Sequence, residues 1–162
     1  MSDGITEITP DDLTLGWLMQ PLDGTDQTGE LASAVIVALG TDRRADEADE
    51  LPAIDADDRR GWWGDTGAAE IWDGWPIGSR LWLLARAAIR PAGARQGSTL
   101  ALAETYAYEA LQPLIARGIA SRVVVVADRV GTERIDVVVT IYRGPRDAVA
   151  LRFQNLWTGI VA

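Results

Sequence analysis

The chain of 162 residues contains no cysteine, no histidine and no lysine. Without cysteine it can form no disulfide and offers no thiolate for catalysis or metal binding. Without histidine it has neither an imidazole base nor a histidine-ligated metal. Without lysine it cannot form a phosphate-binding loop of the kind that requires a lysine. We therefore expect no cofactor and no metal, and neither Ser-His-Asp nor Cys-His catalysis.

Long apolar runs are also absent, since none approaches the length that spans a bilayer. The acidic start MSDGITEITPDD lacks the apolar stretch of a secretory signal, and residues 1–12 are expected to be a flexible N-terminus. Apolar residues nevertheless make up 48% of the chain, which is enough for a packed core. We expect a single domain over residues 1–162 and no membrane partner.

Charge is distributed unevenly along the chain. Residues 1–75 hold 18 acidic residues and four arginines, whereas residues 76–162 hold six acidic residues and 11 arginines. The acidic first half argues against nucleic acid as a partner, because phosphate contacts drive that kind of binding. The asymmetry suits a subunit that meets different neighbours on different faces. A solvated acidic loop explains it equally well.

The pattern of residues 13–90 predicts a short extended arm and two helices. Residues 13–19 read as a strand or an extended arm. Residues 30–39 place apolar side chains on one helical face, although their Val-Ile-Val run is also compatible with a strand. Ser79 is positioned to cap a helix over residues 80–90, which a proline follows.

The longest helix is predicted to begin at Ser98 or Thr99 and to end near Gly118. Its apolar positions recur at helical spacing and define one buried side. Pro113 lies inside it and is expected either to kink the helix or to restart it as a short second one.

The C-terminal third changes to the period of a strand. Residues 122–130 and 134–142 alternate and are joined by a short Gly-Thr-Glu turn, which indicates a hairpin, and residues 148–153 can add a third strand. We predict an α+β fold in which helices pack on one face of a small antiparallel β-meander over residues 121–154. The free edge of that meander is a place where a neighbour's extended strand could add.

Residues 41–78 are predicted to form a long polar and Trp/Gly-rich loop. Residues 61–78 alone hold five glycines and four tryptophans. A loop of this length inside a compact domain is usually functional or ordered by a partner. Its tryptophans are compatible with a buried cover for the helices, with a binding interface and, less favourably, with a sugar-stacking surface.

Glycoside cleavage needs only two carboxylates, so it survives the absence of histidine and cysteine. Glu104 and Glu109 lie about 140° apart around a helix and do not converge. Asp128 and Asp136 can pair across the hairpin, but no spacing selects them as a catalytic pair. We expect no enzyme activity.

Four segments appear in order along the chain: LASAVIVAL, TDRRA, DRRGWWGD and GSRLWLL, followed by a helix and a Val-rich hairpin. In these segments, and over about residues 13–157, the chain resembles the Mu-like prophage tail proteins. That family is related to the lysozyme-like baseplate wedge subunit of contractile phages and to its type VI secretion counterpart. The resemblance implies a small α+β domain whose sheet can be extended by strands of the tail sheath protein.

The resemblance further implies a structural subunit of a contractile phage tail baseplate, as a wedge component or sheath initiator that acts by protein–protein assembly. The implied partners are other baseplate wedge subunits and the tail sheath and tube proteins. The implied location is the virion tail baseplate, after assembly in the host cytoplasm. A carboxylate-dependent peptidoglycan muramidase of the tail and a Trp-lined glycan-binding module are the alternatives.

Two sets of candidate site residues follow. Arginines suit planar, bidentate pairing with acids of a neighbouring subunit, and the candidates for partner binding are Arg43, Arg44, Arg59, Arg60, Arg117 and Arg122. The last two flank the position where the wider group carries a Glu-Pro-Arg motif that this chain lacks. The candidates for anchoring the loop are Gly61, Trp62, Trp63, Gly64, Asp65 and Trp82, because glycines let the backbone turn around large rings.

Overall fold

In the described part of the chain, two long helices lie on one face of a four-stranded sheet, which confirms the predicted α+β class. A computed structural model describes residues 6–8, 27–52, 57–71, 73–74, 77–84, 98–130, 134–144 and 146–153. Within these ranges no helix has both the length and the apolar character needed to cross a membrane. The predicted extended arm at residues 13–19 lies outside the described residues.

The described residues form three α-helices, at Gln27–Gly40 (α1), Ala68–Ile71 (α2) and Thr99–Ala116 (α3). The helical prediction for residues 30–39 is confirmed, and the competing strand is wrong. Ser98 caps α3 because its side chain accepts a hydrogen bond from the Ala101 N–H at 3.0 Å. The helix is continuous through Pro113, so it does not restart there.

The helix predicted over residues 80–90 is, in its described part, only a 3₁₀ turn at Leu81–Leu84. Residues 85–90 lie outside the described residues. All four side chains of the turn are buried, whereas a helix on the surface buries one stripe. The Ser79 hydroxyl donates instead to the Leu39 carbonyl at 2.9 Å, so it joins the turn to the end of α1.

The sheet is built from a C-terminal meander and one additional strand. Arg122–Val130 (β2), Arg134–Arg143 (β3) and Arg146–Phe153 (β4) pair in antiparallel order, as predicted. A short strand at Thr6–Ile8 (β1) pairs in parallel with the end of β4, which gives the order β1-β4-β3-β2. Apart from this strand, residues 1–12 lie outside the described residues, and their flexibility stays a prediction. Three residues carry too little pattern to predict a strand whose partner lies at the other end of the chain.

The main core fills the space between the sheet and helices α1 and α3. Alternate residues of β3 face it. Its largest fully buried side chains are Leu111, Ile135, Ile141, Val35, Val137 and Val139. A second, smaller cluster joins Ala45, Trp82 and Leu83, with Leu51 and Tyr106 packed against it. This second cluster fixes the region around residues 41–52 to the domain.

Candidate functional site

Three segments lie side by side on the helical layer: the acidic segment (residues 41–52), the Arg–Trp loop (residues 57–71) and the Leu–Trp turn (residues 77–84). The Ala45 N–H donates to the Arg59 carbonyl at 2.9 Å, which joins the first two segments. The Arg43 N–H donates to the Ser79 carbonyl at 3.0 Å, and the Ser79 N–H donates to the Thr41 carbonyl at 2.9 Å. Backbone hydrogen bonds therefore hold most of this predicted loop as one ordered surface.

Gly78 lies where the Leu–Trp turn approaches the acidic segment most closely. Its φ is +113°, and a Cβ at this position would lie 2.6 Å from the Thr41 carbonyl oxygen. Both the backbone conformation and the close approach require glycine. Asp42 and Ser79 form an isolated parallel bridge next to this contact.

Replacing Gly78 with alanine is expected to lower the free energy of unfolding by about 2 kcal/mol more than the same change at Gly118. Gly118 also has a positive φ, of +68°, but no atom lies within 4 Å of its Cβ position. The φ of Gly118 lies in the left-handed helical region that alanine can adopt at moderate cost, whereas that of Gly78 lies outside it. The difference therefore measures the combined effect of backbone strain and of the close approach to Thr41 at position 78. Urea denaturation followed by circular dichroism measures the difference, and equal losses would contradict the close approach.

Trp82 lies beneath the acidic segment and is 1% exposed. Its indole N–H donates to the Arg43 carbonyl at 2.8 Å. The Arg60 guanidinium lies over its ring, 4.8 Å from the centroid, and also pairs with Asp42 at 3.0 Å. Trp82 thus contacts both neighbouring segments at once. These contacts support the anchoring role predicted for it.

A charge cluster surrounds Arg80, whose side chain is only 13% exposed. One guanidinium nitrogen lies 2.8 Å from Asp46 and 2.9 Å from both carboxylate oxygens of Asp49. The other lies 2.6 Å from Glu109 on α3. The guanidinium also lies over the Tyr106 ring, 4.9 Å from its centroid. Arg80 therefore holds the acidic segment onto α3.

The electrostatics of this cluster favour the charged form of Arg80. Burial acts to lower the pKa of Arg80, but the hydrogen bonds and negative charges of Glu109 and Asp49 outweigh it, so the net shift is upward. Burial raises the pKa of Tyr106, and the charge of Asp49 raises it further. Sequence reasoning missed Arg80, although it is the one charged residue in the segment IGSRLWLL. A lone charge in an apolar run is the signal that could have identified it.

The Arg–Trp loop closes on itself around Trp62. The Trp62 N–H donates to the Asp65 carboxylate at 3.1 Å, and the Asp65 N–H donates back to the Trp62 carbonyl at 3.0 Å. A Cβ on Gly64 would overlap the Trp62 indole ring, and a Cβ on Gly61 would lie 2.8 Å from the Asp65 carboxylate. The two glycines therefore provide the space that the indole and the carboxylate occupy.

Trp63 does not share this environment, because 82% of its surface is exposed. It contacts Trp62 edge to face, with the ring centroids 5.1 Å apart. Gly64 leaves room beneath the turn for one indole, which is that of Trp62. Trp63 cannot hold the loop on the domain by burial, so the anchoring role predicted for it needs correction.

The arginines of this region are largely engaged within the chain. Arg59 donates to the carbonyl of Asp46 and, at 3.2 Å, to the carbonyl of Glu47. Arg60 stacks on Trp82 and pairs with Asp42. Both guanidinium groups were expected to remain available for acids of a neighbour. Because both groups already make contacts within the chain, they are less available to a neighbour than expected. Their role in partner binding stays a prediction.

The other candidate arginines occupy different places. Arg44 is exposed beside Gly61, and Arg43 is half-buried, with both its backbone N–H and its carbonyl hydrogen-bonded. Arg117 follows α3 and lies 3.5 Å from the Asp73 carboxylate. Arg122 begins β2 and lies over the Tyr142 ring at 3.9 Å. A role in partner binding stays a prediction for all four.

The acidic residues weighed for glycoside cleavage separate in the structure. Glu104 accepts the Ala127 N–H of β2 at 2.9 Å, whereas Glu109 binds Arg80. The prediction that these two carboxylates do not converge is confirmed. Asp128 and Asp136 are directly opposite in the hairpin register, with Asp128 exposed and Asp136 buried. In the part of the chain that the structure describes, no three acidic side chains group as metal ligands.

Sequence comparison defines the class of protein that carries this surface. The sequence profile of the family described as phage protein GP46 matches residues 31–148, which include all three surface segments. The matched range covers well over half of the chain. The chain therefore belongs to the GP46 family of phage proteins.

Two relatives identify the branch of that family. The baseplate protein gp46 of Escherichia phage Mu is 35% identical over 140 residues, covering 85% of this chain and 88% of the relative. The Mu-like prophage FluMu protein gp46 of Haemophilus influenzae is 36% identical over 116 residues, covering 72% of this chain and 67% of the relative. The resemblance to Mu-like prophage tail proteins is confirmed.

Proposed function

We propose that this protein is a non-enzymatic structural subunit of a contractile phage tail baseplate, where it acts as a wedge component or sheath initiator. The observation that carries the proposal is the 35% identity to the baseplate protein of phage Mu over 88% of that relative's length. A likeness of this extent covers the whole structural framework rather than one motif. The protein would reside in the virion baseplate after assembly in the host cytoplasm.

The ordered loop surface supports a role in assembly. The Arg80 cluster and Trp82 hold the acidic segment and the Arg–Trp loop in place. A surface that is ordered before binding loses less conformational entropy when a partner docks. Other wedge subunits and the tail sheath and tube proteins are the proposed partners.

Strand addition to the sheet is the finer part of the proposal. On the β2 side, the Glu104 carboxylate occupies the Ala127 N–H, so this edge is partly blocked. On the other side, β1 pairs only with Leu151–Phe153 of β4. The structure describes no strand paired with the outer side of residues 146–150. We infer that an extended segment of a sheath or wedge protein would add beside this part of β4.

Co-expression of the tagged full-length chain with the neighbouring tail genes tests the proposal. The expected result is a stable complex in which the chain is stoichiometric with a wedge or sheath protein, as measured by size-exclusion chromatography and mass spectrometry. A parallel assay of peptidoglycan turnover is expected to show no activity. A chain that stays alone and cleaves glycan, with the activity lost when one of its acidic residues is replaced by the amide, would overturn the proposal in favour of a muramidase.

A further inference from the structure

Trp63 is the most exposed large hydrophobic side chain in the described residues, at 82% against 43% for Tyr108 and Val126. We propose that Trp63 inserts into an apolar socket of a protein partner and that arginine or lysine side chains surround this socket. The inference rests on the proposed function, because the partner would be another component of the baseplate. Beyond the baseplate role, the inference names the residue that contacts the partner and the sign of the charge on the partner's surface.

The loop orders the backbone that carries Trp63, and Trp62 contacts one side of its ring. Trp62 supports it from the side, edge to face at 61°, and is itself seated on Gly64. The Thr66 N–H donates to the Trp63 carbonyl at 3.3 Å, and the reciprocal bonds between Trp62 and Asp65 close the turn. A large, solvated aromatic side chain on an ordered turn is typical of a binding hot spot in a free protein.

The charge around Trp63 is negative. The Arg–Trp loop contains four acidic residues, and those that flank the tryptophan pair are Asp57, Asp58 and Asp65. The two arginines of the loop do not reverse this sign, because four acidic residues against Arg59 and Arg60 leave the loop two charges negative, and Arg60 pairs with Asp42. Arg44, beside Gly61, is the exposed exception.

The adjoining acidic segment has the same sign. It contains five acidic residues and two arginines, and Asp46, Glu47 and Glu50 are exposed. A partner that approaches Trp63 therefore meets a negative field, which steers positively charged surfaces toward the site and repels acidic ones. Charge complementarity thus selects a basic partner, whereas the sequence alone suggested that arginines of this loop would meet an acidic one.

Photo-cross-linking in the assembled complex tests the inference directly. The full-length chain carries p-benzoylphenylalanine in place of Trp63 and is co-expressed with the neighbouring tail genes, and mass spectrometry identifies the linked peptide after irradiation. We expect one protein segment with a net positive charge and apolar residues at the link. The same probe in place of Tyr108 is the matched control and is expected not to link that segment.

Two variants then measure the contact. Trp63→Ala is expected to weaken binding to the linked protein at least about tenfold, whereas Tyr108→Ala should leave it unchanged. Asp57→Asn should slow association and reduce its dependence on salt concentration, and Asp128→Asn, an exposed acid on β2, should do neither.

The outcomes separate the inference from the proposed function. A linked segment rich in acidic residues, a link to glycan, or an assembled complex with no link at position 63 would overturn the inference and leave the baseplate role standing. Binding that changes less than twofold in Trp63→Ala would do the same. A chain that enters no complex at all would overturn the proposed function and the inference with it.

Discussion

Replacing Trp82 with alanine should lower the free energy of unfolding by about 4 kcal/mol. The side chain is 1% exposed and belongs to the second buried cluster, so its removal leaves a cavity between the acidic segment and the domain. The Arg43 carbonyl also loses the indole N–H that donates to it at 2.8 Å. Urea denaturation followed by circular dichroism measures the loss.

Trp63→Ala is the matched control for this prediction. The same atoms are removed from a ring that is 82% exposed, so the free energy of unfolding should change by no more than about 0.5 kcal/mol. Trp82→Phe should fall between the two variants, because it keeps one aromatic ring but loses the N–H and part of the apolar volume of the indole. Similar losses in Trp82→Ala and Trp63→Ala would contradict the assignment of one buried and one exposed indole.

Replacing Arg80 with methionine should lower the free energy of unfolding by about 3 kcal/mol. The change leaves Asp49, whose side chain is 12% exposed, without the guanidinium that contacts both of its oxygens. Asp46 and Glu109 are 58% and 36% exposed and regain water, which keeps the loss near the lower end for a broken buried pair. Chemical denaturation at neutral pH measures the effect.

A double-mutant cycle separates the ion pair from the loss of packing. In the Asp49→Asn background, Arg80→Met should cost at least about 1 kcal/mol less than in the native chain, because part of the interaction has already been removed. Arg44→Met is the control, since Arg44 is exposed and should contribute little. Additive losses at positions 80 and 49 would contradict a stabilising interaction between Arg80 and Asp49.

Much of the fold is predictable where the pattern is local and long. The two hairpin strands were predicted within one residue of their observed ends, because alternation over nine or more positions specifies both the strands and their register. The helix over residues 30–39 followed from its apolar stripe. β1 did not follow, because three residues at Thr6–Ile8 gain their structure only by pairing with the end of β4.

The sequence indicated which residue types form the candidate site, but not which side chains are buried and which are exposed. The spacing of DRRGWWGD indicated a turn around an indole, yet nothing local distinguishes Trp62 from Trp63, because a glycine-rich turn has no period that assigns an inner side. Arg80 was missed because its partners lie 29 to 34 residues away in sequence. The orientation of the Arg59 and Arg60 side chains likewise depends on backbone carbonyls and a carboxylate of the acidic segment, which is distant in sequence.

Particles produced by the phage or prophage that encodes this chain give the most direct test of the proposed baseplate role. An epitope tag on the full-length chain can be located by immunogold electron microscopy of purified tails, with the untagged particle as control. The account predicts label at the baseplate end of the tail and a fixed number of copies per particle by quantitative mass spectrometry. Intact, infectious particles that contain none of this chain, or label along the tail or at the head, would contradict it.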